Sequence, residues 1–333
     1  MRRADPFPTP DTRRPLPGLQ AGRAFAALFV VCFHAIGMWQ NVKYGDIAVA
    51  PNWIMLARIG VDFFFVLSGF IILHAHKDDV GKPARLGRYL WRRAVRVYPI
   101  YWICLTVSVV TLFAIHKPEP VWNIALNYGL LDPFFHPRII VQAWTLFHEI
   151  LFYLAFATLI VNRKLGLAVF AGWALCAVIL FPHPQLVATI TNPVNSCFLS
   201  GMIARLAMPR VPPRLFWLPL VAGLLGFAVM TLRGVNFLLD DMVLGLCGGL
   251  TVLGLALADQ RGAWKVPQPL LFLGAASYSI YLTHYAVFSF TFRLTGAFSL
   301  RPAIWSVAAL TRSGRGAASQ PGGFSARDSR SAT

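Results

Sequence analysis

RAFAALFVVCFH, residues 23–34, opens the first long apolar run of the chain and has an arginine and a histidine at its two ends. If this run is helical, His34 lies about 16 Å above Arg23, at about 1.5 Å per residue. With Arg23 near one membrane boundary, the imidazole reaches the middle of a bilayer. Ionisable groups at such a depth are costly and usually face a protein interior or a wet cavity, so this pair is a candidate functional site.

The composition of the whole chain is that of an integral membrane protein. Of 333 residues, 57% are hydrophobic and 13% are charged, and the mean hydropathy is +0.60. Most apolar runs have about the 20 residues that a helix needs to cross the hydrocarbon core. We therefore predict an all-α membrane protein with about 9 to 10 transmembrane helices, of which the first is retained rather than cleaved as a signal peptide.

The charges that flank the apolar runs predict the orientation of the chain. Lys and Arg are most frequent in the segments that lie inside if the N-terminus is cytoplasmic, above all in residues 76–98. The net charge of +17 therefore indicates orientation and contact with lipid head groups, and no nucleic acid partner is predicted. We expect a multi-pass protein of the inner (plasma) membrane. The predicted spans are 24–41, 55–75, 98–115, 143–161, 165–181, 186–204, 215–232, 236–258 and 270–290.

Two segments differ in composition from the spans. Residues 116–142 are amphipathic and interrupted by prolines, and we expect them to lie at the outer membrane interface. Residues 1–310 are predicted to form one transmembrane domain, whose last apolar run, 302–310, is too short to cross. The Ser/Gly/Arg-rich residues 311–333 cannot form a core, and we predict a disordered tail of the kind that truncation or a frame shift would leave.

Counting from the predicted span ends gives each polar group an approximate depth. His34, Glu149 and His284 fall in the outer half of the membrane, whereas the arginines of residues 76–98 lie at the inner surface. Guanidinium groups bind phosphate, and a histidine with a carboxylate can transfer a proton at an acceptor hydroxyl. The arginines have a second explanation, because the positive-inside rule alone accounts for them.

No metal site is predicted from the cysteines. Each is a single residue inside an apolar run, without the spacing of metal ligands. Small buried side chains are the simplest interpretation of Cys32, Cys104, Cys176, Cys197 and Cys247.

Five motifs occur in the order found in one known family. Residues 23–34 have the pattern Arg-x10-His, GVDFFFVLSGFII at residues 60–72 is similar to a second span, and YLWRRAVRVYPIYW at residues 89–102 carries Arg-x-x-Arg. WTLFHEILFY at residues 144–153 and ASYSIYLTHYAVF at residues 276–288 follow. Through these motifs the chain resembles the acyltransferase-3 family, whose members O-acylate cell-surface polysaccharides, lipopolysaccharide O-antigens, exopolysaccharides and Nod factors.

The resemblance implies an acyltransferase that transfers groups other than amino-acyl groups. An acyl group, usually acetyl, would pass from cytoplasmic acyl-CoA (acetyl-CoA) to a hydroxyl of a cell-surface or lipid-linked glycan. Two features differ from the family pattern. Gln20 and its neighbours lack the acidic residue that commonly precedes the first-span arginine, and the final span is incomplete after Leu310.

The resemblance also implies roles for individual residues. His34 would act as general base or accept the acyl group transiently, and Arg23 would help to seat CoA. Glu149 would orient or charge-balance the imidazole of His34, or contact the sugar. The implied acyl-CoA-binding residues are Arg93 and Arg96, together with Arg92. Those implied to support the acceptor or the site are Asp62, Ser68, Trp144, Tyr278 and His284.

Two other functions stay open at this point. A proton-coupled transporter or flippase also uses buried His, Glu and Asp side chains, although it would be expected to show internal repeats, and no clear repeat is seen in the sequence. An inactive truncated acyltransferase would keep the motifs without turnover.

Overall fold

Ten α-helices make up most of the part of the chain that the computed structural model describes, which is residues 16–44, 55–114, 116–131, 138–179, 192–233 and 240–297. Among these residues there is no β-strand, which confirms the predicted all-α class. Several connections contain a turn of 3-10 helix. The helices are α1 Pro17–Tyr44, α2 Met55–His76, α3 Leu86–Ala114, α4 Val121–Gly129, α5 Trp144–Val161, α6 Arg163–Ile179, α7 Ser196–Ala207, α8 Trp217–Arg233, α9 Asp240–Arg261 and α10 Gln268–Ala297.

Seven segments within the described residues are long and apolar enough to cross a membrane. They support the prediction of a multi-pass membrane protein, while the count of about 9 to 10 spans and the cytoplasmic N-terminus stay predictions. The segments are Pro17–Ala35, Ile59–Asp79, Pro83–Ala114, Val141–Val161, Pro213–Arg233, Asp240–Arg261 and Gln268–Phe288.

Two helices differ from the predicted spans. α3 begins at Leu86, well before residue 98, so that most of the basic segment predicted as a loop is helical. The arginines indicate which side of the membrane the segment lies on, but they do not end a helix, because arginine is a good helix former. α7 has 12 residues. At about 18 Å it is too short to cross a core of about 30 Å, and the first part of the predicted span 186–204 lies outside the described residues.

The chain divides into two compact units, residues 1–285 and residues 286–333. The first unit holds α1 to α9 and most of α10. In the second, the described residues 286–297 form the last turns of α10. The apolar run 302–310 and the predicted disordered tail 311–333 lie outside the part of the chain that the structure describes.

α2 and α7 pack with their backbones in contact. A Cβ atom built on Gly201 of α7 would collide with the carbonyl oxygen of Val66, and one on Gly69 of α2 would collide with that of Phe198. The ring of Phe198 stacks on Phe152 of α5, with centroids 4.4 Å apart and planes 9° apart. Small residues permit this close approach. In a membrane the hydrophobic effect does not drive helices together, so close packing of this kind stabilises their association.

We expect Gly201→Ala to lower the yield of folded protein, because the new methyl group must push α7 away from α2. Overpacking of this kind costs about 1–3 kcal/mol. Size-exclusion chromatography of a fluorescent fusion measures the folded fraction. Gly172→Ala on α6 is the matched control, since a Cβ there meets no atom within 4 Å. Equal yields of the two variants would contradict the packing argument.

Candidate active site

A cavity of about 80 Å³ lies between α1, α2, α3, α5 and α10. This volume offers about five to eight water-sized positions, at about 10–15 Å³ each. Three arginines and one glutamate stand among apolar side chains in its wall, so its charge suits an anionic ligand. The polar lining residues are Arg23, Ser68, Arg93, Arg96, Thr145, Glu149, Tyr153, Ser277, Tyr278 and Tyr281.

α3 supplies two of the three arginines of the cavity. Arg93 and Arg96 are three residues apart, so they project from the same side of the helix, and both line the cavity. Arg92 is exposed and is not a lining residue, although it lies one helical turn from Arg96. Its implied role in acyl-CoA binding stays a prediction.

The guanidinium group of Arg93 lies over two aromatic rings. Its Cζ atom is 5.9 Å from the ring centroid of Tyr89 and 5.7 Å from that of Tyr153, within the range of cation–π contact. The hydroxyl of Tyr89 donates to the Tyr153 carbonyl at 3.1 Å, which ties α3 to α5 at this point. These contacts hold Arg93 in place without neutralising its charge.

Glu149 belongs to the arginine side of the site. Its carboxylate accepts a hydrogen bond from the Tyr153 hydroxyl. The carboxylate also attracts the guanidinium group of Arg23, which is repelled by that of Arg96. His34 is not a lining residue of this cavity, and the prediction that Glu149 orients its imidazole stays a prediction. Counting residues from a predicted span end gives depth along one helix, but not which neighbouring helix a side chain meets.

Two buried polar atoms in the cavity wall have no hydrogen-bond partner among the residues that the structure describes. They are Nε of Arg93 and Oγ of Ser277, whose residue is fully buried. An unpaired polar group in a protein interior costs about 1–3 kcal/mol. Water or a polar ligand in the cavity would offset that cost, so these atoms make the cavity a candidate binding site.

Near Tyr281 the histidines of α1 and α10 meet. Nδ1 of His34 is 3.0 Å from Nε2 of His284, and Nδ1 of His284 is 2.6 Å from the Tyr281 carbonyl oxygen. The ring of Tyr285 lies 4.8 Å from that of His34, between centroids. Tyr281 lines the cavity and its ring centroid is 5.8 Å from that of His284, so it connects the arginine cavity with the histidine pair.

The hydrogen bonds assign the tautomers of the pair when both rings are neutral. A carbonyl oxygen can only accept, so Nδ1 of His284 carries the hydrogen and Nε2 carries the lone pair. Nδ1 of His34 then donates to that lone pair. The remaining nitrogen, Nε2 of His34, is left with its own lone pair and can accept a proton.

α1 sets the distance between the two parts of the site. His34 is eleven positions after Arg23, which is about three helical turns, so both side chains lie on nearly the same face, about 16 Å apart. The first turn of α1 is fixed by α9. The backbone N–H of Gly18 donates to the two carboxylate oxygens of Asp259 at 2.8 and 2.9 Å, and Nε1 of Trp264 donates to the same carboxylate at 3.1 Å. A carboxylate at a helix N-terminus also stabilises the helix electrostatically.

A short hydrogen-bond chain fixes α10 against the start of α5. Nε2 of Gln142 donates to the Leu282 carbonyl at 2.9 Å, and the hydroxyl of Thr145 donates to that of Tyr281 at 3.1 Å. Tyr278, which was implied as a supporting residue, donates to the Val97 carbonyl at 2.8 Å. These bonds hold the wall of the cavity and the turn that carries His284.

The other implied supporting residues fall into two groups. Ser68 and Tyr278 line the cavity, and His284 contacts His34. Asp62 is buried on α2 outside the lining. Trp144 packs edge-to-face on Phe65, with centroids 6.4 Å apart, and is also outside the lining.

Four polar lining residues were not among the predicted site residues, namely Thr145, Tyr153, Ser277 and Tyr281. Thr145 and Tyr153 lie one helical turn from Glu149, and Tyr281 lies one turn from Tyr278, so helical spacing could have found these three. No cluster of three or more His, Cys, Asp or Glu side chains that could hold a metal ion occurs in the described ranges.

Comparison with known proteins gives the site its chemical context. Residues 16–311 match the model of the acyltransferase-3 family, which is described as "Acyltransferase domain". The "Exopolysaccharide production protein ExoZ" of Rhizobium meliloti (strain 1021) is 33% identical over 247 residues, which is 69% of this chain and 76% of ExoZ. No solved structure matches the chain significantly.

Two further relatives are more distant and longer. The "Putative peptidoglycan O-acetyltransferase YrhL" of Bacillus subtilis (strain 168) is 26% identical over 82% of this chain and 49% of its own length. The "Putative O-acetyltransferase SACOL0978" of Staphylococcus aureus (strain COL) is 25% identical over 83% of this chain and 51% of its own length. The chain spans about half the length of these two relatives. Because the family profile covers most of the sequence, the chain belongs to the acyltransferase-3 family of membrane acyltransferases.

Proposed function

We propose that the protein transfers an acyl group, in the first instance acetyl, from cytoplasmic acyl-CoA to a hydroxyl of a cell-surface or lipid-linked glycan. The observation that carries this proposal is α1 itself. It places Arg23 in a cavity with Arg93 and Arg96 and, about three turns further, His34 beside His284. The names of ExoZ and YrhL, which refer to exopolysaccharide and to peptidoglycan O-acetyl transfer, support a glycan acceptor.

The arginines would bind the phosphates of the donor. Arg96 is exposed and Arg93 is partly buried, so the pair leads from the surface into the cavity. Guanidinium groups form charge-assisted hydrogen bonds to phosphate, often two at a time. Arg23 would contact the same polyanion deeper in the protein, and Glu149 would balance part of the positive charge while the site is empty of donor.

The small cavity fits the thin arm of CoA better than its nucleotide. The nucleotide would stay at the exposed end, beside Arg96, and the acyl-bearing arm would run past Tyr281 to the histidine pair. Donor and acceptor would then meet at His34 from opposite sides of the membrane. This arrangement uses the predicted orientation, with the N-terminus and the start of α3 in the cytoplasm.

At the reacting centre His34 would act as general base. Nε2 accepts the proton of the acceptor hydroxyl while the hydroxyl oxygen attacks the thioester carbonyl carbon, so that a C–O bond forms. The C–S bond then breaks, the CoA thiolate leaves, and it takes the proton from the imidazolium. His284 would stabilise the charged imidazole by keeping its lone pair on Nδ1–H of His34.

Transfer of label in isolated membranes tests this function. Inverted membrane vesicles from cells with and without the gene would receive acetyl-CoA that is radiolabelled in the acetyl group. We expect base-labile label on the glycan only where the gene is present, together with release of CoA thiol. A normal level of protein with an unlabelled glycan and no thiol release would exclude acyl transfer, and uptake of an unmodified solute by the same vesicles would identify a transporter.

A further inference from the structure

A second, larger cavity lies on the opposite side of α1 from the candidate active site. It is a groove of about 660 Å³ between α1, α2, α8, α9 and the connection from α9 to α10. This volume is in the range of about 300–1,000 Å³ that is typical of ligand sites. Phe25 and Phe29 on α1 and Leu224 on α8 line it and are about half exposed, so the groove is open to the side.

The groove is apolar along its length and positively charged at one end. Lys265 is the one charged residue among the side chains found to line it, and it is exposed. Arg261 and Arg214 lie at the same end, where Nη1 of Arg261 donates to the Arg214 carbonyl at 3.3 Å. The nearby carboxylate of Asp259 accepts hydrogen bonds from Gly18 and Trp264 and carries the one negative charge among these four groups. The three cations outnumber it, so the end of the groove attracts an anion.

The length of the groove corresponds to one leaflet of a bilayer. Along α1 it extends from Gly18 to Phe29, which is about 16 Å, close to half of a hydrocarbon core of about 30 Å. Trp264, the type of residue that occupies membrane interfaces, lies at the charged end. A ligand that fits both features has an acyl chain of leaflet length and an anionic head group.

We propose that this groove binds an acyl chain of an anionic phospholipid from the leaflet on the side of Lys265, with the lipid phosphate beside the lysine. The charge at the end of the groove favours an anionic over a zwitterionic lipid. Gly18, Gly22, Phe25 and Phe29 form the groove face of α1, while Arg23 and His34 project from the other face. The lipid would therefore support the helix that carries both parts of the active site.

Native mass spectrometry of the full chain, released from nanodiscs that contain equal amounts of dioleoyl phosphatidylglycerol and dioleoyl phosphatidylcholine, tests this proposal. We expect the wild-type chain to retain phosphatidylglycerol with a several-fold preference. Lys265→Gln should remove the preference, whereas Lys164→Gln, at an exposed lysine on α6, should keep it. An unchanged preference in Lys265→Gln would overturn the proposed head-group contact.

A second pair of variants tests the acyl-chain site. Ala228→Trp fills the groove from an exposed position on α8 and should abolish retention of both lipids. Ala222→Trp makes the same change at an exposed position of α8 that does not line the groove, and it should retain them. If Ala228→Trp does not fold, Leu224→Trp tests the same groove.

Two results would contradict the phospholipid assignment. One is retention of lipid by the folded groove-filling variant at the wild-type level. The other is displacement of phosphatidylglycerol from the wild-type chain by an equal concentration of a polyprenyl phosphate, which would assign the groove to a lipid-linked substrate. Because lipid retention and not acyl transfer is measured, failure of this proposal leaves the proposed function unaffected.

Discussion

Replacement of His34 by alanine is expected to lower acetyl transfer to the glycan by about 10²–10⁴-fold, the usual contribution of a general base. The loss should appear in the maximal rate rather than in the affinity for acetyl-CoA, because the arginine cavity is about 16 Å away along α1. The measurement is the initial rate of label transfer in membrane vesicles, normalised to the amount of protein. Cys32→Ala is the control, because Cys32 is an exposed neighbour on the same helix.

His284 gives this prediction a sharper form. If His284 acts only through His34, His284→Ala should cost less than His34→Ala, and the double variant should be no slower than His34→Ala alone. Independent, multiplying losses would show that His284 contacts the substrate by itself. Full activity of His34→Ala at normal membrane levels would overturn the assigned role of His34. Release of CoA thiol without acceptor would instead identify a covalent acyl-His34.

The paired replacement Arg93→Gln with Arg96→Gln is expected to raise the KM for acyl-CoA by about 10²–10⁴-fold. Each arginine contributes about 1.5–3 kcal/mol if it makes a charge-assisted hydrogen bond to phosphate, and tenfold corresponds to about 1.4 kcal/mol. Titration of purified protein with acetyl-CoA measures the same loss as a dissociation constant.

The matched control for this pair removes the same charge from the same basic segment. Arg85→Gln with Arg88→Gln changes two exposed arginines, one just before α3 and one in its first turn, that do not line the cavity. We expect this variant to bind acyl-CoA normally, so that a general effect of charge on membrane orientation is separated from ligand binding. If both double variants bind acyl-CoA as tightly as the wild-type chain, the arginines determine topology only.

The sequence predicted the helical class and the two ends of the α1 motif because both follow from local rules. Apolar run length indicates a membrane helix, and a spacing of eleven residues places Arg23 and His34 on one face whatever surrounds them. Ser68 and Tyr278 were found through the family motifs, and both line the cavity. These features need no knowledge of which helices are neighbours.

Predictions of which residues meet across neighbouring helices could not be made from local rules. Glu149 was assigned to His34 because both were placed at one depth, but the packing of α5 brings it to Arg23 and Tyr153. Arg92 was grouped with Arg93 and Arg96 through the family resemblance. It is exposed and lies outside the cavity lining, although it is one helical turn from Arg96. The contact between His34 and His284 joins residues 250 positions apart and has no local signature.

The number of residues between Arg23 and His34 determines both the relative direction and the separation of their side chains on α1. Deleting one residue between Arg23 and His34 would turn the imidazole by about 100° and draw it about 1.5 Å closer, which removes it from His284 while both residues remain in the sequence. An insertion of seven residues would nearly restore its direction but move it about 10 Å further away. Direction and separation are therefore satisfied together by the natural spacing, and a change of length in this segment should be more harmful than most changes of its apolar side chains.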